Sequence, residues 1–157
     1  MTTPTQRLSN LGIHLPAAPA PAANYVPTRV IPIGDGRSLI YVAGQIPRRP
    51  DGQLYTGRVS SQVGVEEAQQ AARACAIAIL AQLEAAAGLE RIEQVAQVQG
   101  WVLSDDDFDQ QPAVINGCSD LLVEVLGEAG RHSRAALGTN SLPLGVTVEI
   151  AAVAVAR

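Results

Sequence analysis

The sequence predicts a two-layer α+β domain in which one mixed sheet carries two helices on a single face. Three observations point there. Segments with strand-like and helix-like hydrophobic spacing follow one another in the order β-β-α-β-α-β-β. Neither an internal repeat nor a heptad array interrupts that order. The apolar material is small and aliphatic: 47% of the residues are hydrophobic, only 3% are aromatic, and 25 of the 157 are alanine. Such residues suit close packing of helices on a sheet and flat association surfaces. The length predicts one domain over residues 1–157, with residues 1–28 as a Pro/Ala-rich arm.

In the arm, prolines at 16, 19, 21 and 27 forbid a helix and force extended or turn geometry, laid over the surface. Arg29–Ile33 and Ser38–Ala43 read as two strands joined by Gly34-Asp35-Gly36, a strong hairpin signal. Gly44 ends the second strand, and a polar loop follows. Val65–Ala87 is the clearest helix. Ala68, Ala72, Cys75, Ile79, Leu80 and Leu83 recur every three or four residues, Glu66 and Glu67 suit its first turn, and Gly88 suits its end.

Gln94–Ser104 reads as a strand with Ala96, Val98, Gly100 and Val102 on one face and Gln97 and Gln99 on the other. A second helix is expected from about Pro112 to Leu126, with Val114, Ile115, Cys118, Leu122 and Val125 as its apolar stripe. The acidic run Asp105-Asp106-Asp107-Asp109 is expected to solvate a turn and cap that helix. Strands over Ala135–Thr139 and Val146–Ala156 close the chain. Two helices leave the second face of the sheet uncovered. There the last strand offers Thr147, Glu149, Ala151, Val153 and Val155, a half-apolar surface that predicts self-association.

Composition excludes several chemistries. All eleven basic residues are arginine. Without lysine there is no Walker-type phosphate loop and no Schiff-base catalysis by a lysine amine. The net charge of −4 and the lack of a basic cluster beyond Arg48-Arg49 argue against nucleic-acid binding. Cys75 and Cys118 show no disulfide-framework spacing and read as core thiols in a reducing compartment. No leader or membrane span is recognisable, which makes a cytoplasmic protein the expectation. His14 and His132 sit in no ligand-spaced motif, so no metal site is expected.

Two residues carry more information. Glu149 interrupts an otherwise apolar strand (VTVEIAAVAVA); it is either a paired structural carboxylate or a partly buried acid with a tuned pKa. Arg134 opens a strand of small residues and is either a surface charge or an anchor for a carboxylate.

The spacing of Arg134-Ala135-Ala136, Leu142-Pro143 and Val148-Glu149-Ile150 resembles the C-terminal signature of the RidA (YjgF-like) family. Upstream, Asn24-Tyr25-Val26, Val42-Ala43-Gly44-Gln45-Ile46-Pro47, Asp107-Phe108 and Val114-Ile115-Asn116 resemble its other motifs in the same order. The long arm and the phrase INGCSDLLVEVLGEAGRHSR look like the family's longer branch, whose labels include chorismate-mutase-like and endoribonuclease. The resemblance implies a chorismate-mutase-like fold and a homotrimer with a central barrel and clefts between subunits. It also implies hydrolysis of enamines and imines of the 2-aminoacrylate type to 2-keto acids and ammonia, with no metal or cofactor. By the same resemblance, Arg134 binds the substrate carboxylate and Glu149 positions or activates water. Tyr25, Ala43, Gly44, Asn116 and Ala136 would line the cleft, with Leu137 beside the arginine. Ala43 stands where serine is common, and Ala151 where an acid is common, so the cleft is expected to be larger or drier than usual. The alternatives are a non-catalytic trimer that binds a small carboxylate and regulates a partner, and an endoribonuclease.

Overall fold

The structure, a computed structural model, describes residues 1–157. Its elements are α1 (Pro4–Asn10), β1 (Thr28–Gly34), β2 (Arg37–Gln45), α2 (Val65–Ala87), β3 (Ile92–Leu103), α3 (Gln111–Leu126), β4 (Ser133–Thr139) and β5 (Val148–Ala156). The sheet order is β1-β2-β5-β3-β4. β3 and β4 are parallel, as a crossover through α3 requires, and every other pair is antiparallel. The sheet is therefore mixed, with α2 and α3 on one face, as the hydrophobic pattern predicts.

The hairpin forms because Asp35 and Gly36 both take positive φ (52° and 71°), the geometry a two-residue turn needs to match strand twist. Helix α2 runs over the residues predicted, and Gly88 ends it with φ 85° and an N–H donated to the carbonyl of Glu84. Its predicted apolar positions and those of α3 are all buried in one cluster with Ile40, Val95, Val98, Val148 and Ile150 of the sheet. Each such aliphatic side chain contributes on the order of 1.5–3 kcal/mol on burial. The helices approach closely at Gly117: a Cβ there would overlap the backbone carbonyl of Gln69. The Gln69 amide also donates to the carbonyl of Ala113 (2.8 Å), tying α2 to α3.

Four expectations need correction. The arm is not free of helix: α1 begins at Pro4, upstream of the prolines from 16 onward, closed by a capping box between Thr3 and Gln6 and anchored by buried Leu8. Ala96 is exposed instead of sharing the face of Val98, because the register of β3 against β5 shifts between Val95 and Gln97, and one extra residue reverses side-chain alternation. No aspartate caps α3; its N-cap is Gln110, with no side-chain bond. Asp105 instead accepts from the Ser61 hydroxyl (2.8 Å) and faces Arg58 at 3.8 Å. β5 starts at Val148, since residues 143–145 form a 3-10 turn and Val146 bridges Thr56, and Thr147 is buried before the strand instead of lying on its open face.

The other face of the sheet is bare in a single chain. Ile31, Tyr41 and Leu137 on it are 42%, 48% and 54% exposed, beside half-buried Leu39, Val153 and Val155. No helix is long and apolar enough to cross a membrane.

Candidate functional site

Strand register separates the two residues that carried most information in the sequence. Glu149 of β5 lies opposite Trp101, and Arg134 of β4 lies opposite Val98. Trp101 and Val98 are three residues apart on β3, with no register shift between them. Successive side chains alternate, so the two project from opposite faces. Arg134 points to the helix side, while Glu149 belongs to the bare face. They are also two strands apart, about 10 Å, and three residues along, about 10 Å more. One chain cannot bring this arginine to this carboxylate.

What one chain does assemble is two separate groups. In the first, the Nη1 of Arg134 donates to Asn116 Oδ1 (2.8 Å) and to Ser119 Oγ (3.2 Å). Asn116 and Ser119 are three apart on α3 and share a face. Ala136 follows two residues after Arg134 on the same face, pairing with Gly100 and packed on the core. Six arginines pair with carboxylates, but Arg134 has no acidic partner. It is a solvent-facing cation held by neutral groups, the state an anion anchor requires.

In the second group, the Glu149 carboxylate lies over Gly44, in the space a Cβ would fill. The register of β2 shifts between Val42 and Gln45, which exposes Gly44 to the β5 side chain. Burial raises the pKa of Glu149 above the ordinary range for a glutamate. No arginine or other donor hydrogen-bonds it, so it is not the paired structural carboxylate. It sits at the edge of a cavity of about 1090 Å³ that Gly44 and Tyr25 also line, along with the arm from Pro16 to Pro27. The arm is fastened there by buried Gln82, whose amide donates to the carbonyl of Pro19 (2.7 Å). Tyr25 is half exposed, its hydroxyl accepting from the N–H of Ala22 (3.4 Å). Ala43 does not line the cavity; its N–H donates to Pro27 and its carbonyl accepts from Gln45.

The predicted site residues thus fall into Tyr25, Gly44 and Glu149 on one side, with Ala43 adjacent in the chain, and Arg134, Asn116 and Ala136 on the other; Leu137, expected beside the arginine, lies on the bare face instead, because three residues along a strand reverse the side. Sequence reasoning missed Ser119, His132 and the cavity arginines Arg48, Arg49 and Arg73. The three-residue spacing of Asn116 and Ser119 was a usable signal for the first. Arg49 stacks over Tyr55 (3.8 Å) and pairs with Glu67 (2.8 Å), Arg73 pairs with Glu124 (3.5 Å), and Arg48 has no carboxylate partner. Both cysteines are buried core residues. Burial lifts the Cys118 thiol to about 12 and that of Cys75 well above its ordinary value, with Cys118 and Glu149 adding to the latter. No three His, Cys, Asp or Glu side chains converge in the manner of metal ligands.

Comparison with known proteins identifies the family and the fold. Residues 5–154 match the family model described as "YjgF/chorismate_mutase-like, putative endoribonuclease". Protein TCP17 of Trypanosoma cruzi is 43% identical over 145 residues, covering 91% of this chain and 88% of that protein. The crystal structure of Atu1372 from Agrobacterium tumefaciens, described as of unknown function, superposes with a TM-score of 0.86 at 43% identity, covering 99% of this chain and 94% of that one. A structure from Shewanella oneidensis MR-1, named a putative endoribonuclease, gives 0.88 at 33% identity over 98% and 99% of the two chains.

Proposed function

The chain belongs to the YjgF/chorismate-mutase-like family, and on that premise we propose that it is an enamine/imine deaminase. It hydrolyses small 2-imino acids of the 2-aminoacrylate type to 2-keto acids and ammonia. The sites are clefts between the subunits of a homotrimer. The observation that carries this reading is the placement of Arg134 and Glu149 on opposite faces of one sheet. Each is exposed to solvent in part and neither has an ionic partner, so each is half of a site that a neighbouring copy completes. The bare apolar face supplies the surface through which copies meet.

The reaction asks little beyond orientation. The fork of N–H groups on Arg134 grips the substrate carboxylate. That places the imine carbon, already electrophilic, beside Glu149 of the adjoining copy. Water adds to the carbon as Glu149 takes its proton, giving a tetrahedral carbinolamine. A carboxylate partly withdrawn from water is a stronger base than an exposed one, which favours this step. The carbinolamine forms from the protonated imine, so return of the proton to nitrogen makes a leaving ammonium group; the C–N bond breaks as the hydroxyl gives its proton to Glu149, ammonia leaves and the keto acid remains. Gly44 leaves room for the carboxylate, and Tyr25 with the arm walls off the cavity. An RNA substrate suits the molecule less well, since six of the eleven arginines are neutralised by carboxylates and no lysine is present.

The test generates 2-aminoacrylate in situ with a dehydratase and follows keto-acid release. The protein accelerates release, and Arg134→Ala and Glu149→Ala each abolish the acceleration. Co-expression of the two inactive variants restores about a quarter of it, from random mixing around a cyclic oligomer. Absence of acceleration by the native protein refutes the reaction. A sedimentation mass near the 16.4 kDa of one chain refutes the shared cleft.

A further inference from the structure

Behind Arg134 runs a chain of hydrogen bonds that ends at a histidine. The Nδ1 of His132 lies 2.6 Å from the carbonyl oxygen of Gly130. A carbonyl only accepts, so Nδ1 carries the proton and Nε2 of the neutral ring is an acceptor. Ser119 Oγ lies 2.9 Å from that Nε2 and must donate to it. This orients the serine lone pairs toward the Nη1 of Arg134 at 3.2 Å, while Asn116 Oδ1 takes the other Nη1 hydrogen at 2.8 Å. Burial lowers the pKa of His132, opposed by the bond to Gly130 and aided by the charge of Arg134, in the direction that favours this neutral form. Both hydrogens of Nη1 are therefore committed to the protein. The Nε and Nη2 hydrogens are left, and these two point side by side in the spacing of the two oxygens of a planar carboxylate.

We infer that Ser119 and His132 are positioning residues that clamp one nitrogen of Arg134 so that its Nε–Nη2 edge faces the cleft, which selects a planar carboxylate as the anchored group. The inference rests on Arg134 being the carboxylate anchor of the proposed deaminase. His132 touches no substrate. It acts through Ser119, by fixing which way the serine hydroxyl points. Loss of the acceptor at Nε2 frees the hydroxyl to rotate, and the guanidinium loses one of its two tethers.

The variants are Ser119→Ala, His132→Phe and His132→Gln in the full-length protein; glutamine restores an acceptor near the position of Nε2. Nitrogen-15 NMR of the Arg134 guanidinium reads the clamp directly, with no ligand present. Slowly rotating Nη signals are expected in the native protein. They are lost in Ser119→Ala and His132→Phe and recovered in His132→Gln. Calorimetry with 2-oxobutanoate as the probe is expected to show about tenfold weaker binding in the first two, the loss of one hydrogen bond to a charged group. Glutamine restores it, and in an Arg134→Ala background the same changes add nothing. In turnover, KM rises more than kcat falls.

Unchanged signals and unchanged binding in Ser119→Ala overturn the inference even if Arg134→Ala abolishes binding. Binding that survives Arg134→Ala overturns the anchor and the clamp together. An intact NMR response in a protein without deaminase activity refutes the reaction and leaves the clamp standing.

Discussion

The carboxylate of Glu149 occupies the space that a side chain at position 44 would need. The glycine is thus demanded by a neighbour across the strand pair. Its own φ is not in the left-handed region. Gly44→Ala therefore pushes aside the flexible end of a side chain and leaves the backbone in place. We expect near-native thermal stability and a fall in kcat of about 100-fold, the order of loss for a reacting group misplaced by about 1 Å. Keto-acid release and a melting curve on one preparation check both.

Glu149→Gln tests the burial of that carboxylate. The folded pKa is raised, so the folded state holds the proton more tightly than the unfolded one. Below the unfolded value, about 4.3, both states are protonated and the group contributes nothing. As the pH rises from there through the raised folded value, ionisation costs stability, and above it the cost is fully present. Glu149→Gln is accordingly expected to raise Tm at pH 8 and leave it unchanged at pH 3.5, while abolishing turnover. The acid limb of the native rate profile should lie above the usual glutamate range.

Arg134→Lys keeps the charge and loses the fork. A lysine cannot hold Asn116 and a bidentate carboxylate together. With Arg134→Lys, KM is expected to rise about 10- to 100-fold from the loss of a charge-assisted pair, whereas Arg134→Ala abolishes turnover. Recovery of native KM by the lysine variant would show that charge alone suffices.

Gly117→Ala addresses the packing of the helices. The added methyl meets the backbone carbonyl of Gln69, which no rotamer change relieves. Overpacking of this kind costs about 1–3 kcal/mol, to be read as a lower denaturation midpoint at unchanged slope.

Cys75 and Cys118 are expected to resist thiol reagents in the native protein and to react together on unfolding. Both are buried, and burial disfavours their thiolates. Rapid labelling of either in native buffer would contradict their place in the core.

Much of the fold was legible because its elements follow local rules. The three-and-four spacing from Ala68 to Leu83 and from Val114 to Val125 identified both core helices and their buried faces. Asp35-Gly36 identified the hairpin. Misreadings arose where the deciding contact is distant in sequence. Ala96 left the apolar face because of how β3 meets β5, and Asp105 turned away from α3 toward Arg58 and Ser61. The short helix α1 carries only a local signal, the Thr3 and Gln6 capping box with Pro4 in its first turn, in a segment whose later prolines favour extended chain.

By itself the sequence determined the α+β class, the family resemblance and the identity of Arg134 and Glu149 as the two ionic groups of interest. Those are matters of periodicity and residue type, carried in neighbouring positions. Only the tertiary structure decided that the two stand on opposite faces, that Ser119 and His132 stand behind the arginine, and that Gly44 makes room for the glutamate. The physical reason is strand register. A side chain's face depends on which residue it pairs with and on each bulge between, and a shift of one position reverses it.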